Sequence, residues 1–348
     1  MIDCPSSPLA LHLDRDALIA NWRWLAGQSG AAACGAALKA DGYGLGATEV
    51  LQHLLAAGCR DFFVATWQEA AALLPLLEGA SLSVLHGARS EDLPFALAVP
   101  ARPVLNSAAQ VARWKAAGGG PCDVMIDTGM NRLGLRPDEL GAGVLDGLEI
   151  QTLCSHLACA DETSGLNAVQ RARFEAVRQQ VPARRYSLAN SAGILLGSDY
   201  AFDLTRPGLA LYGGLPTLAA TGHIRPVVRP HAQILQRRRV EAGETVGYGA
   251  TFTAKAPVET AIVNLGYADG YLRAFAGGGA MLHGGERLPL LGRVSMDLIA
   301  VDVSAAPDLE EGDWLEVDYD LPTASAHTGL SQYELLTGLG QRFERRWV

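Results

Sequence analysis

The sequence predicts an α/β protein in which an N-terminal (β/α)8 TIM barrel is followed by a C-terminal, mostly antiparallel β domain. Its 348 residues exceed the roughly 250–300 at which single hydrophobic cores stop growing, so two domains are expected. Eight strand-type runs alternate with helical stretches, and eight parallel strands close a barrel. Beyond residue 225, strands follow one another without long helices. We expect the barrel at residues 8–225 and the β domain at residues 226–348 together with residues 1–7; a doubly wound open sheet is the alternative for the first part.

The eight strand-type runs are apolar and rich in β formers, and most are separated by amphipathic helical spacing. They lie at residues 34–40, 61–66, 82–87, 102–106, 122–128, 149–156, 185–190 and 203–208. Helical spacing occurs at 14–28, 47–57, 67–78, 108–117, 168–180 and 192–197, and it is weaker after the third and fifth strands. For the β domain we predict strands at 229–240, 260–264, 288–292 and 298–303, and a closing helix at 331–339.

Composition narrows the range of partners. The chain has 28 basic and 37 acidic residues, a net charge of −9, and no basic block, so we expect neither nucleic acid nor a membrane as partner. Since the N-terminus has no basic segment ahead of an apolar one, we expect a cytoplasmic protein. The absence of any CxxC pair predicts reduced thiols and no metal site among Cys4, Cys34, Cys59, Cys122, Cys154 and Cys159.

The segment 36–46, AALKADGYGLG, places a lysine at the end of the first predicted strand, before a glycine-rich turn. Partial burial at that place lowers the pKa of the Lys39 amine, and a neutral amine attacks a carbonyl to form a Schiff base. The glycines allow close approach of a ligand, and Tyr43 supplies a hydroxyl nearby. The alternative is a lysine that extends from a strand end into solvent.

Other polar residues also follow predicted barrel strands, at the ends where barrel chemistry gathers. Each has a structural alternative: a surface ion pair for Arg132, a buried structural role for His156, and a helix N-cap for Asn190. A serine at a helix start also presents backbone N–H groups and the helix dipole to a phosphate. The residues on this rim are Lys39, Arg132, His156, Asn190, Ser191, Arg206 and Gly208.

Pyridoxal 5′-phosphate fits such a site, because a lysine and a phosphate clamp hold that cofactor. Arg206 would then face the pyridine nitrogen. Since guanidinium only donates hydrogen bonds and stays charged, the nitrogen has to remain unprotonated, which weakens the ring as an electron sink. That arrangement favours the movement of one α-proton over transamination.

The chain resembles the alanine racemases, the barrel-type pyridoxal phosphate enzymes, over nearly its whole length. The resemblance is carried by eight segments in the same order: LKADGYGLG at 38–46, DTGMNRLG at 127–134, SHLACAD at 155–161, ANSAG at 189–193, RPGLALYG at 206–213, GYGATF at 247–252, GYADGYLR at 266–273 and GRVSMD at 292–297.

The resemblance implies a two-base racemisation of L- and D-alanine in a head-to-tail homodimer. Lys39 would bear the cofactor covalently and act as one base, and the partner subunit's Tyr267 would be the other. Lys39 would take the α-proton of D-alanine and Tyr267 that of L-alanine. Such an enzyme supplies D-alanine for peptidoglycan precursors, although a catabolic role stays open.

The resemblance also implies the remaining roles. His156 would orient Tyr267 and Arg206, and Arg132 would assist near the cofactor oxygen and the substrate carboxylate, which the Met296 backbone would bind. Arg206 would hold the ring nitrogen. The other cofactor-binding residues implied are Tyr43, His156, Asn190, Ser191, Gly208 and Leu209.

The sequence departs from the family pattern at two positions of the site. Met125 stands where many members have a lysine, often carbamylated, that fixes the counterpart of Arg132, and Ser295 replaces a common cysteine. Three alternatives stay open: a racemase of broader or different specificity, such as serine; another barrel-type pyridoxal phosphate enzyme, a decarboxylase or aldolase; and a non-catalytic pyridoxal phosphate carrier of the barrel-only type, although such carriers lack a β domain and the tyrosine of GYADG. One methylene group in a pocket contributes only about 1–3 kcal/mol to discrimination.

Overall fold

The computed structural model describes residues 5–348, so the predicted thiol Cys4 and the first four residues assigned to the β domain lie outside the described residues. Contacts divide the chain into two units. One is Asp16–Arg225; the other combines the chain up to Arg15 with Pro226–Val348. Residues 8–15 were expected in the barrel but belong to the second unit, because strand Leu9–Leu13 pairs with Val228–Val240.

The unit Asp16–Arg225 contains a closed ring of parallel strands. From the first strand to the seventh, each pairs with the next, and the eighth pairs with the first through Leu204 opposite Ala33. The seventh and eighth segments are joined by the Asp203 N–H, which donates to the Tyr186 carbonyl at 3.0 Å. The ring confirms the predicted barrel over the open sheet. Its strands are Ala33–Cys34 with Ala36–Ala37, Asp61–Val64, Ser81–Val84, Arg102–Leu105, Cys122–Met125, Ile150–Cys154, Arg185–Ser187 and Leu204–Thr205.

Helices connect most of these strands. Helix Ala47–Ala57 buries Val50, Leu51, Leu54 and Leu55, which lie on one face, and it ends at a left-handed Gly58. The fifth strand is followed only by the 3-10 segment Pro137–Gly143, in line with the weak helical pattern there. The other helices of this unit are Arg15–Gln28, Trp67–Leu73, Leu93–Ala96, Ala108–Ala116, Leu166–Arg178 and the single turn Ser191–Ile194.

Two hydrogen-bonded pairs of polar side chains lie inside the barrel toward the amino-terminal ends of its strands. Arg185 of the seventh strand bonds Asp61 of the second through two hydrogen bonds of 2.6 and 2.9 Å. Asp123 of the fifth strand is fully buried and accepts a hydrogen bond of 2.5 Å from Ser83 of the third. Because these bonds join strands that are not neighbours, they cross the interior, at the face where barrel residues serve stability.

The second unit is mostly antiparallel, as predicted. Its longest strand, Val228–Val240, pairs with Leu9–Leu13, Val258–Val263 and Trp314–Val317. The closing segment Glu344–Trp347 is the exception, since it pairs in parallel with Leu9–Leu13. The remaining elements are strands Ala280–His283, Glu286–Leu291 and Ile299–Asp302, the hairpin Thr245–Val246 with Phe252–Thr253, and helices Leu321–Thr328 and Gln332–Thr337.

Candidate active site

Lys39 does not end a strand, contrary to the prediction; the first strand ends at Ala37 and the chain turns. Ala40, Asp41, Gly42 and Tyr43 all have φ values between 53° and 61°, which makes a left-handed turn. This conformation costs an L-residue roughly 1–2 kcal/mol, so the surroundings have to stabilise it. The apolar run up to Leu38 explains the strand prediction, because the turn leaves no periodic signal.

The carboxylate of Glu69 holds this turn against the second strand. Its Oε1 accepts the Ala40 N–H at 2.7 Å, and its Oε2 accepts the N–H groups of Ala65 and Thr66 at 2.6 and 3.1 Å. Thr66 completes a capping box, because its Oγ1 accepts the Glu69 N–H at 3.3 Å. Sequence reasoning missed this residue, although the pattern of threonine followed three residues later by glutamate is visible at a helix start.

The Lys39 amine is partly buried. Burial lowers its pKa, the charge of Arg132 lowers it further, and the carboxylate of Glu69 opposes both effects. A lowered pKa increases the fraction of neutral amine, the form that attacks carbonyls and takes up protons. The predicted desolvation of Lys39 is therefore present in the fold.

Tyr43, Ser191 and Gly208 form one cluster. The Oγ of Ser191, which is 2% exposed, accepts the N–H groups of Gly208 and Ala210 at 2.9 and 3.3 Å. A Cβ atom on Gly208 would lie 2.1 Å from the Tyr43 hydroxyl, so only glycine fits there. Asn190 acts as the helix N-cap, because its Oδ1 accepts the Gly193 N–H at 2.8 Å. Leu209 is buried immediately after Gly208.

The donors of this cluster suit a phosphate. With its oxygen already accepting two N–H groups, the Ser191 hydroxyl still has a proton, for which the described residues show no acceptor. The N-cap of Asn190 also leaves the first N–H groups of the helix Ser191–Ile194 directed out of its end. Tyr43 contributes a hydroxyl and stacks on Tyr212 with ring centres 4.6 Å apart. The Tyr212 hydroxyl in turn donates to the Ala37 carbonyl at 2.8 Å.

Arg206 lies beside this cluster with 7% of its surface exposed. One terminal nitrogen donates to the Ser187 hydroxyl and the other to the Ser155 carbonyl at 2.6 Å. Its guanidinium carbon lies 5.9 Å from the centre of the Phe63 ring. Among the described residues no carboxylate pairs with Arg206 and no hydrogen bond joins it to the His156 ring. A buried cation held only by neutral oxygens retains N–H groups for a ligand.

His156 is electrically neutral in this site. Burial lowers its pKa to about 3, and the positive charges of Arg206, Arg132 and Lys39 add to the effect. Its backbone is fixed by Gln170, whose Nε2 donates to the His156 carbonyl at 2.9 Å. A neutral imidazole has one donor and one acceptor nitrogen, so it can orient two polar groups.

Asp127 holds the loop that carries Arg132. Its Oδ1 accepts the N–H groups of residues 129, 130 and 131 at 2.8, 2.9 and 3.1 Å, and its Oδ2 accepts the Arg132 N–H at 3.1 Å. Met125, where the resemblance leads one to expect a lysine, is buried against Val104 and Cys154. The backbone of Arg132 is thus held without a charged group at position 125.

Two loops of the β domain lie against each other and carry the other predicted residues, Tyr267 and Met296. The Tyr267 N–H donates to the Ser295 carbonyl at 3.0 Å, and the Ala268 N–H to the Met296 carbonyl at 3.0 Å. The guanidinium carbon of Arg273 lies 5.2 Å from the Tyr267 ring centre. Met296 is 54% exposed. The structure therefore gathers the predicted residues into two sets, one on the barrel and one on the β domain.

The described part of the chain offers little else for ligands of other classes. Five cysteines are free thiols, four of them buried: Cys34, Cys59, Cys122 and Cys154. Residues 5–348 contain no group of three His, Cys, Asp or Glu side chains placed to hold a metal ion. Within the same range, no helix combines the length and the apolar character that crossing a membrane requires.

A closed parallel barrel with a partly buried lysine in the turn that follows its first strand, joined to an antiparallel β domain, defines a two-domain barrel enzyme. Residues 13–216 match the alanine racemase N-terminal domain and residues 227–347 match the alanine racemase C-terminal domain. The chain belongs to the alanine racemase family.

Curated relatives and solved structures agree. A catabolic alanine racemase of Agrobacterium fabrum is 43% identical, covering 97% of this chain and 92% of the relative. An alanine racemase of Acidiphilium cryptum is 42% identical, covering 96% of this chain and 97% of the relative. The crystal structure of the Bartonella henselae alanine racemase, with covalently bound pyridoxal phosphate, superposes with a TM-score of 0.91 at 36% identity over 99% of this chain and all of that one. The crystal structure of the biosynthetic alanine racemase from Pseudomonas aeruginosa superposes with a TM-score of 0.89 at 34% identity, over 98% of this chain and 99% of that one.

Proposed function

We propose that this protein racemises L- and D-alanine with pyridoxal 5′-phosphate as cofactor. One observation carries the proposal: the Lys39 amine lies on the same barrel as the cluster of Ser191, Gly208 and Tyr43, and burial lowers the pKa of this amine. That combination suits a cofactor bound at one end through an amine and at the other through a phosphate. When bound, the cofactor withdraws electrons from the substrate α-carbon and acidifies its proton.

Racemisation needs a proton acceptor on one face of the α-carbon and a proton donor on the other. We assign these roles to Lys39 and to the partner subunit's Tyr267. Lys39 removes the α-proton of D-alanine while Tyr267 delivers a proton from the opposite face, and the roles reverse for L-alanine. A phenol has a pKa of about 10, so Tyr267 depends on neighbouring cations to act as a base near neutrality.

The remaining residues bind and orient. The phosphate would be held through the hydroxyl and backbone N–H groups of Ser191, Asn190, Gly208, Leu209 and Tyr43, and Arg206 would donate to the ring nitrogen. Because a guanidinium only donates hydrogen bonds, that nitrogen would have to accept, and an unprotonated ring nitrogen would limit the electron withdrawal. The neutral imidazole of His156 orients Tyr267 and Arg206. Arg132 and the Met296 backbone bind the substrate carboxylate.

The first test is incubation with L-alanine in deuterated water, following enantiomer composition and α-deuteration, after a visible spectrum has been recorded. Racemic, α-deuterated alanine from a protein with cofactor absorbance supports the proposal. A protein with that absorbance that leaves alanine unchanged but racemises L-serine moves the assignment to the alternative specificity. A colourless, inactive protein would overturn it. Tyr267→Phe separates the bases: it keeps the absorbance and loses racemisation if Tyr267 acts as proposed.

A head-to-tail homodimer with shared active sites is tested by complementation. Lys39→Ala and Tyr267→Phe are each inactive alone. A hybrid dimer contains one site with both native bases, so a mixture that exchanges subunits freely should recover about a quarter of the native activity. Recovery of none, with subunit exchange shown by mass spectrometry, would contradict sites built from both subunits.

A further inference from the structure

Arg342 lies where the two loops that carry Tyr267 and Met296 meet. Its Nε donates to Asp269 Oδ1 at 2.6 Å, and its Nη1 donates to Asp297 Oδ1 at 2.7 Å. Asp269 follows Tyr267 by two residues, and Asp297 follows Met296 directly. One guanidinium therefore joins both loops through charge-assisted hydrogen bonds, and its planar fork of donors suits this double contact.

The Asp269 carboxylate is fixed from two sides. Its side chain is fully buried, and its second oxygen accepts the Gly266 N–H at 2.9 Å. The Asp269 backbone carbonyl accepts the Gly340 N–H at 3.0 Å. Since a buried carboxylate without a partner is strongly unfavourable, Arg342 sets where this turn sits.

Close backbone packing makes the two loops one body. A Cβ atom on Gly266 would lie 2.2 Å from the Met296 carbonyl oxygen, so the loops approach as nearly as glycine allows. A change in the position of one loop is therefore passed to the other.

The arginine itself is anchored by the chain terminus. The Ser7 hydroxyl donates to the Arg342 carbonyl at 2.6 Å, the next residue, Phe343, is 3% exposed, and strand Glu344–Trp347 then pairs with Leu9–Leu13. Both carboxylates raise the pKa of the Arg342 guanidinium, so its charge is permanent. The side chain is 47% exposed, so it links the two loops at the surface of the domain and is not part of the core.

We propose that Arg342 is a positioning residue that fixes the Tyr267 loop against the Met296 loop, so that the phenol meets one face of the substrate. The inference rests on the proposed function, because it assigns Tyr267 as a base. The inference goes beyond the proposed function because it concerns a residue that touches neither substrate nor cofactor. Its loss should impair the proton transfer of Tyr267 more than that of Lys39.

The test uses D-alanine in deuterated water with the full-length, cofactor-loaded protein. Lys39 alone suffices to exchange the α-proton of D-alanine, whereas racemisation also needs Tyr267. For Arg342→Ala we expect racemisation to fall by roughly tenfold or more, since small displacements of catalytic groups have effects of this size. Deuteration of the remaining D-alanine should fall much less, with cofactor absorbance unchanged.

Amide hydrogen exchange supplies a readout that is independent of activity. The amides of Gly266, Tyr267 and Ala268 should exchange at least about tenfold faster in Arg342→Ala, because the substitution removes the hydrogen bonds that hold their loop. Arg342→Lys, with a single donor group, should restore one contact and give intermediate rates. Arg287→Ala is the matched control: it removes a half-exposed arginine that bonds Asp318 at 2.8 Å in the same domain, and it should leave exchange and racemisation unchanged.

Native ratios of deuteration to racemisation together with native amide exchange in Arg342→Ala would overturn the inference. If that variant does not fold, Asp297→Asn weakens only the half-exposed contact and has to show the same effects in smaller size. Failure of the proposed function gives a different result: Tyr267→Phe would then racemise normally, whatever the loop amides of Arg342→Ala do.

Discussion

Replacement of Glu69 by glutamine tests how the turn after Lys39 is maintained. Glu69 accepts three backbone N–H groups, one of them from Ala40 in the left-handed turn. Glutamine has only one acceptor oxygen, so it leaves at least one of these groups facing an NH2 group. Hydrogen bonds to charged groups contribute about 1.5–3 kcal/mol each, and we expect a loss of this size.

The loss is comparable with the cost of the turn itself. Three non-glycine residues of the turn are left-handed, each at roughly 1–2 kcal/mol. For a domain of about 200 residues, a decrease of 1.5–3 kcal/mol in the free energy of unfolding lowers the Tm by about 3–12 °C. Thermal unfolding followed by circular dichroism measures it.

The same substitution should change the pH dependence of catalysis. The negative charge of Glu69 raises the pKa of Lys39 against burial and Arg132, so its removal lowers that pKa further. In the proposed mechanism Lys39 has to be neutral to take the α-proton of D-alanine, so the acid limb of kcat for D-alanine should move to lower pH. Thr66→Ala is the control, because it removes the helix cap, about 1 kcal/mol, and keeps the Glu69 carboxylate. An acid limb that stays in place or moves to higher pH in Glu69→Gln would refute the reasoning.

Three further outcomes are expected. Gly208→Ala places a methyl group 2.1 Å from the Tyr43 hydroxyl and should weaken cofactor retention, seen as loss of visible absorbance on dialysis. The pKa of His156 is about 3 in the folded protein and about 6.5 in the unfolded chain, so between these pH values only the unfolded state binds the extra proton. The free energy of unfolding should therefore decrease below pH 6.5 by up to about 1.4 kcal/mol per pH unit. His156→Asn should reduce this pH dependence, measured by urea unfolding at several pH values. Asp61→Asn leaves Arg185 partly buried without its carboxylate and should lower the free energy of unfolding by about 2–3 kcal/mol, measured by urea unfolding, with activity per folded molecule unchanged.

The barrel was predictable because most residues of its strands are buried, so the strand segments are mainly apolar and are separated by helical spacing, although polar residues such as Asp61 and Asp123 lie within them. All eight runs contain a strand that begins within one residue of the predicted start. Six strands of the β domain were not predicted: Leu9–Leu13, Thr245–Val246, Phe252–Thr253, Ala280–His283, Trp314–Val317 and Glu344–Trp347. The last has the sequence ERRW, with no buried residue, and only its pairing with Leu9–Leu13 makes it a strand.

The sequence by itself determined the barrel, the antiparallel β domain, and which residues are candidates for the chemistry, because these are local signals of periodicity and motif. Only the tertiary structure decided how those residues are held. Glu69 contacts Ala40 across 29 positions, and Arg342 contacts Asp297 across 45 and Asp269 across 73. Such contacts leave no pattern within a window of neighbouring residues. They exist because closure of the barrel and pairing of the β strands bring distant charges and backbone groups to one place, where burial makes each unpaired group costly.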